Sequence, residues 1–249
     1  MHSTYFRHMF NLFRHKVILF LCCFWIAHLG FSQTVQEQRS KGFTPNLPNY
    51  DDRFLHYGFS LGVNSARFLL AQSDFYVQNL GDSIKSANTF GSPGFNLGLI
   101  LNLRLHENFD LRFQPGVGFY NRGIKFETKN VSFTQNIETA VIEFPLLVKY
   151  KSDRKKNFSM YLIGGVKPGF ATFYKRQERR PDQITTNNFD FCIDYGFGFS
   201  FYYPFFRFSS ELRFSHGVVN MNIPDSSSPY SQMIQRLTTH TVTWYIIFE

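Results

Sequence analysis

Cysteine is nearly absent: of three in 249 residues, Cys22 and Cys23 lie in an amino-terminal apolar run and only Cys192 lies beyond it. One cysteine supports neither a disulfide framework nor a four-ligand zinc site. Long apolar runs are missing too. Val17–Leu29 falls short of the roughly 20 residues that a helix needs to cross a bilayer, and no longer run follows it. The sequence contains no GxxxxGK[ST], HExxH or GxSxG, so nucleotide-binding, zinc-protease and α/β-hydrolase chemistries have no support and no cofactor is implied. The net charge is +8, but lysine and arginine are scattered and gather only at Arg154, Lys155 and Lys156 and at Lys175, Arg176, Arg179 and Arg180. These read as solvated turn and loop charges, and nucleic acid is not expected as a partner.

The first 32 residues have the order of a secretory leader. Arg7, Arg14 and Lys16 precede the apolar run, and Gly30, Phe31 and Ser32 follow it, with cleavage expected after Ser32. No small residue stands just before Cys22, which argues against a lipidated terminus; a retained anchor is the alternative. The expected organisation is a signal peptide at 1–32, a periplasmic segment at 33–55 and a single domain at 56–249.

Aromatic residues are abundant. They make up 19% of the chain, with 32 Phe and 13 Tyr, yet the mean hydropathy is −0.22. A chain that must face lipid without being apolar on average can do so by turning every second residue outward. From Phe189 the sequence sets Phe189, Phe191, Ile193, Tyr195, Phe197, Phe199, Phe201 and Tyr203 against Asp190, Cys192, Asp194, Gly196, Gly198 and Ser200. A helix would scatter these positions, whereas a strand gathers each set on one face. Similar alternation predicts strands near 56–70, 94–106, 109–127, 136–151, 188–204, 206–220 and 237–249, and 157–174 counts as a strand by its position. In Tyr161–Pro168 neither parity is clean, and Gly164, Gly165 and Pro168 predict a bulge or bend there.

The predicted fold is an all-β, eight-stranded antiparallel transmembrane β-barrel of the outer-membrane type. Long polar connections near 71–93, 128–135, 175–187 and 221–236 alternate with short ones at 107–108, 152–156 and 205. Barrels of this kind have short periplasmic turns and long external loops, which puts both termini in the periplasm. A soluble lipocalin-like barrel is the alternative, but it would turn the aromatics inward and expose the glycine-rich parity. A lumen of eight strands is only wide enough for its own side chains, so open diffusion is not expected.

The inward parity carries Arg104, Arg112, Glu143, Lys149, Asp190, Asp194, Glu211 and Arg213. Unpaired charge there would be costly, so these residues are expected to pair. They form either a structural plug or a proton, ion or coupling path. Of the histidines His56, His106, His216 and His240, no two have metal-ligand spacing on one strand. His216 with Asp225 and Ser226–Ser228 could supply a lipid-acting rim enzyme, although polar loop composition explains these residues equally. The carboxyl end, with Trp244, Tyr245 and Phe248, resembles the terminal signal read by the barrel-assembly machinery. It departs from the usual pattern because Glu249 follows the last aromatic.

Asn46, Leu47, Pro48, Asn49, Tyr50 and Asp51, running on through His56, Tyr57 and Gly58 to Asn64, resemble the lead-in segment of the PorT/SprT family of Bacteroidetes. The stretches Glu143–Tyr150 and Tyr161–Val166 also resemble that family but are common to many barrels of the phylum. The resemblance implies an outer-membrane component of the type IX secretion system, with gliding motility where present, and no catalytic residues. The implied partners are outer-membrane lipid, the barrel-assembly machinery and other secretion components. A general surface barrel for adhesion or envelope integrity is the alternative.

Overall fold

Within residues 45–72, 84–128, 132–174, 186–223 and 234–249, which the computed structural model describes, the regular structure is antiparallel sheet throughout. They belong to a unit spanning Thr44–Glu249. The expected signal peptide, most of the expected periplasmic segment, and Asp225 with Ser226–Ser228 lie outside the described residues.

Ten strands form: β1 (Leu55–Gln72), β2 (Ile84–Arg104), β3 (Phe109–Phe113), β4 (Gly116–Thr128), β5 (Ser132–Glu143), β6 (Leu146–Lys151), β7 (Phe158–Tyr174), β8 (Phe189–Tyr202), β9 (Arg207–Gly217) and β10 (Ile234–Phe248). β1 pairs with both β10 and β2, so the sheet closes on itself and leaves no edge. β3 and β4 both pair with β2 and are parted only by Gln114 and Pro115; β5 and β6 both pair with β7 and are parted by Phe144 and Pro145. Each of these two sets is one stave interrupted at a proline, so ten strands make eight staves.

The interruptions fall where proline withdraws a ladder donor. Each proline nevertheless supplies an acceptor to the adjacent stave: Leu99 N–H donates to Pro115 O at 2.9 Å, Gln114 N–H to Pro145 O at 3.0 Å and Phe144 N–H to Pro168 O at 3.0 Å. Pro115, Pro145 and Pro168 therefore form a diagonal across three neighbouring staves. The bend predicted at Gly164–Pro168 does not occur. β7 stays in unbroken register with β8 from Phe158 to Phe170, and Pro168 is tolerated because the ladder on its other side is already broken at Pro145. Its parity looked unclean because apolar Ile163 faces inward and Gly164 outward. The second stave is also longer than the expected 94–106, beginning at Ile84 and passing Pro93 and Gly94 through a register shift between Gly91 and Phe95.

Alternation puts Leu99 64% exposed on the outer wall beside Ile100 at 0% in the interior. The outer wall is tied by cross-strand aromatic pairs such as Phe95 on Phe119 at 4.4 Å and Phe59 on Phe248 at 5.0 Å. An apolar exterior around a polar interior inverts the soluble pattern and suits a lipid surround.

Candidate functional site

The barrel interior is a set of charged layers, each assembled from the inward parity of several staves. At its centre Glu211 of β9 accepts hydrogen bonds from Arg112 at 2.9 Å, Tyr161 at 2.8 Å and Arg213 Nε at 2.9 Å, and Arg213 NH2 adds a further contact. Arg213 also donates to Gln114 at 2.8 Å and lies 3.8 Å from Asp194. Lys149 holds its ammonium 4.0 Å above the Tyr161 ring. Toward the long-connection end, Glu143 receives Tyr120 Oη at 2.5 Å, Lys167 at 3.2 Å and Asn96 at 3.3 Å. Toward the short-turn end, Asp110 pairs with Lys151 at 3.2 Å and accepts from Asn102 at 2.9 Å.

Taking such ions out of water costs several kcal/mol each, so a pair is tolerated only when its remaining donors and acceptors are also met. Glu211 meets this condition with three partners. Two small cavities among these side chains, one lined by Phe68, Arg122 and Asp190 and the other by Glu143, Lys167 and Cys192, hold about 10 Å³ each, room for about one water.

The tyrosines of the lumen lie against glycines. Tyr161 faces Gly198 and Tyr245 faces Gly62 in register across the sheet. A β-carbon on Gly62 would stand 2.8 Å from the Tyr245 ring, and one on Gly198 would strike Tyr161. The glycines clear the space in which the rings lie flat and their hydroxyls reach inward.

Of the eight interior charges picked out by parity, Arg112, Glu143, Lys149, Asp194, Glu211 and Arg213 are buried in the lumen. Arg104 stands apart at the short-turn mouth, 3.6 Å from Asp52, and Asp190 is half-buried toward the other end, where it accepts from Thr239 at 2.7 Å. The sequence reading missed Asp110, Lys151, Lys167, Arg207 and Glu249. Asp110 shares parity with Arg112 and was there to be found; Lys167 was hidden by the ambiguous β7 pattern.

The lead-in residues close the short-turn mouth. Asn46 N–H donates to Asn157 Oδ1 and its side chain donates to Tyr202 O, both at 2.9 Å. Arg154 reaches back to the carbonyls of Asn46 and Leu47 while its guanidinium lies 3.8 Å over the Tyr202 ring. Leu47 turns the chain at φ 50°. Tyr50 is buried, stacked on His56 at 4.2 Å with Arg207 at 4.7 Å, and its carbonyl meets His56 Nε2 at 2.7 Å. Asp51 accepts from Tyr202 Oη at 3.2 Å. Pro48 and Asn49 are exposed, Tyr57 stands on the outer wall, and Gly58 leaves room for Phe248 O and Glu249.

In the closing strand Trp244 faces outward and donates to Ser210 at 2.9 Å, Tyr245 faces inward beneath Arg213 at 4.5 Å, and Phe248 faces outward. Glu249 exchanges backbone bonds with Arg207, pairs with its guanidinium and lies 3.6 Å from Arg112. Two guanidinium groups thus meet its buried carboxylate, the counter-charge that such burial requires. The residue that departs from the usual terminal pattern therefore serves as a lumen counter-ion.

His216 and His240, far apart in sequence, meet on the outer wall with Nδ1 atoms 2.9 Å apart. Asp225 and the serines invoked with His216 lie outside the described residues. Among the described residues no group of three or more His, Cys, Asp or Glu is placed to hold a metal ion.

No curated protein matches the chain significantly. Among solved structures it is similar to the outer membrane protein OprG from Pseudomonas aeruginosa, at 11% identity over 78% of this chain and 91% of that one, with a TM-score of 0.43. Neisserial surface protein A is similar at 11% identity over 78% and 98%, TM-score 0.42. Ail of Yersinia pestis is similar at 14% identity over 77% and 96%, TM-score 0.33. Residues 31–222 match the family described as outer membrane protein beta-barrel domain, and the closed sheet with its apolar exterior has the form such a match requires. The chain belongs to that outer-membrane β-barrel family.

Proposed function

We propose that this barrel is an outer-membrane component required for type IX protein secretion, and for gliding motility in species that glide, acting through protein contacts and not as an open pore. The observation that supports a contact role is the filled interior. Glu211 binds two arginines and a tyrosine in mid-lumen, and Tyr50 with the Asn46–Asp51 strap covers the short-turn mouth. A barrel occupied in this way has its wall and its two ends left with which to act. The secretion assignment draws on the resemblance of Asn46–Asn64 to the PorT/SprT lead-in. Both termini then lie in the periplasm, with the long connections outside.

Deleting the gene tests this directly: cargo that carries a C-terminal sorting domain should accumulate inside the cell and reappear outside on complementation. Normal export in the deletion strain would overturn the assignment. A general surface barrel for adhesion or envelope integrity is the second reading. It is favoured by the fact that Asn46 and Asp51 use their side-chain polar groups, and Tyr50 its carbonyl, on the barrel's own mouth, which gives the resembling residues a structural use. On that reading deletion spares export and changes adhesion or envelope sensitivity.

A further inference from the structure

Near its long-connection end the outer wall carries a row of polar side chains on three neighbouring staves. Arg67 of β1 stands in register with His240 of β10, and His240 with His216 of β9. All three take the outward parity, continuing the apolar faces of Leu61 and Val63, of Trp244 and Val242, and of Leu212 and Phe214. His216 is held from the other side by Tyr195 of β8, whose hydroxyl meets Nε2 at 2.8 Å with the rings parallel at 5.5 Å. The histidine contact is Nδ1 to Nδ1, so one ring must donate and the other accept, which fixes both rings in place. Within the described residues, Arg67 has no hydrogen bond or ion pair and His240 Nε2 has no protein partner.

The height of the row is informative. From Leu55 at the opposite edge to Arg67 is a rise of about 3.3 Å per residue along a strand tilted near 40°, or roughly 30 Å along the membrane normal. That matches the hydrocarbon thickness, so the row meets the headgroups of one leaflet. A guanidinium facing lipid there needs an anion, and the ladder of Val63, Val242, Trp244 and Phe214 beneath it offers acyl-chain contact.

We propose that Arg67 and His240, positioned by His216 and Tyr195, bind the phosphate of a phosphorylated glycolipid in the leaflet at the long-connection end. Arg67 supplies a forked pair of donors and His240 Nε2 a third, while the apolar wall below takes the acyl chains. The outer leaflet is the glycolipid-bearing one, so the occupant rests on the orientation given under the proposed function; the phosphate chemistry does not.

The test is native mass spectrometry of the folded, detergent-extracted full chain with purified lipid A, its dephosphorylated form, or inorganic phosphate. Wild type should retain lipid A, and Arg67→Gln with His240→Gln should lose at least about tenfold in affinity, as expected for lost charge-assisted bonds. The dephosphorylated lipid should bind both proteins equally weakly, and Arg67→Lys should restore part of the loss. Heat-shifted gel migration verifies that each variant is folded. Equal lipid A retention by wild type and the folded double variant overturns the site, as does equal binding of the dephosphorylated lipid by wild type. Binding of inorganic phosphate as tight as that of lipid A overturns the lipid assignment. Normal cargo export in the deletion strain, with lipid A retained by the wild-type protein, would sink the secretion reading and leave this one standing.

Discussion

Glu211 is the most heavily engaged single residue of the interior. Arg112, Arg213 and Tyr161 all converge on its carboxylate, so Glu211→Gln takes from two buried guanidinium groups the nearer of their counter-ions and leaves only Glu249 and Asp194 at 3.6 and 3.8 Å. The variant should lose about 3–5 kcal/mol of stability, read from urea unfolding in lipid vesicles. Glu249 is matched in the same way, by Arg207 and Arg112, so Glu249→Gln should weaken the fold in the same assay, because both guanidinium groups lose the carboxylate they share. Parity made Arg112, Glu143 and Glu211 legible in the sequence, because a period of two sends each to a known face. It could not reveal which charges meet: Arg112 and Glu211 are brought together only by closure of the sheet. His216 and His240 were unreadable for the same reason.

At the scale of the element, alternation located the strands well wherever both faces were consistent, as in β8, and misled where chemistry and face disagreed, giving a bend in β7 and a late start to β2. β7 carries an inward isoleucine and an outward glycine, and the middle of β2 carries Ser92, Pro93 and Gly94, which look like loop. The strap at Asn46–Asp51 had no readable signal as a plug, because its bonds are to backbone and to Asn157, Arg154 and Tyr202 on distant turns. Arg154 clamps that strap. Arg154→Ala should free it, seen as faster tryptic cutting at Arg53 in folded protein, while the heat-shifted migration of the barrel stays unchanged.

At the largest scale, the described strands form a closed cylinder whose first and last members are joined along nearly their full length, from Phe59 opposite Phe248 to Leu70 opposite Leu237. With its lumen occupied, the purified protein in a planar bilayer should give no discrete conductance steps; steady channel openings would refute the filled-interior account. The opposite side of the cylinder is built differently. There the proline diagonal splits the ladders, so that Phe109–Phe113 against Leu146–Tyr150, and Leu146–Lys151 and Thr139–Glu143 against β7, are separate runs with gaps between them. Such a wall is mechanically uneven. Under lateral pressure or heat it should crease along Pro115, Pro145 and Pro168 before the seam between first and last strands gives way. Amide exchange would show this as early loss of protection in β3 and β6 while β1 and β10 remain protected.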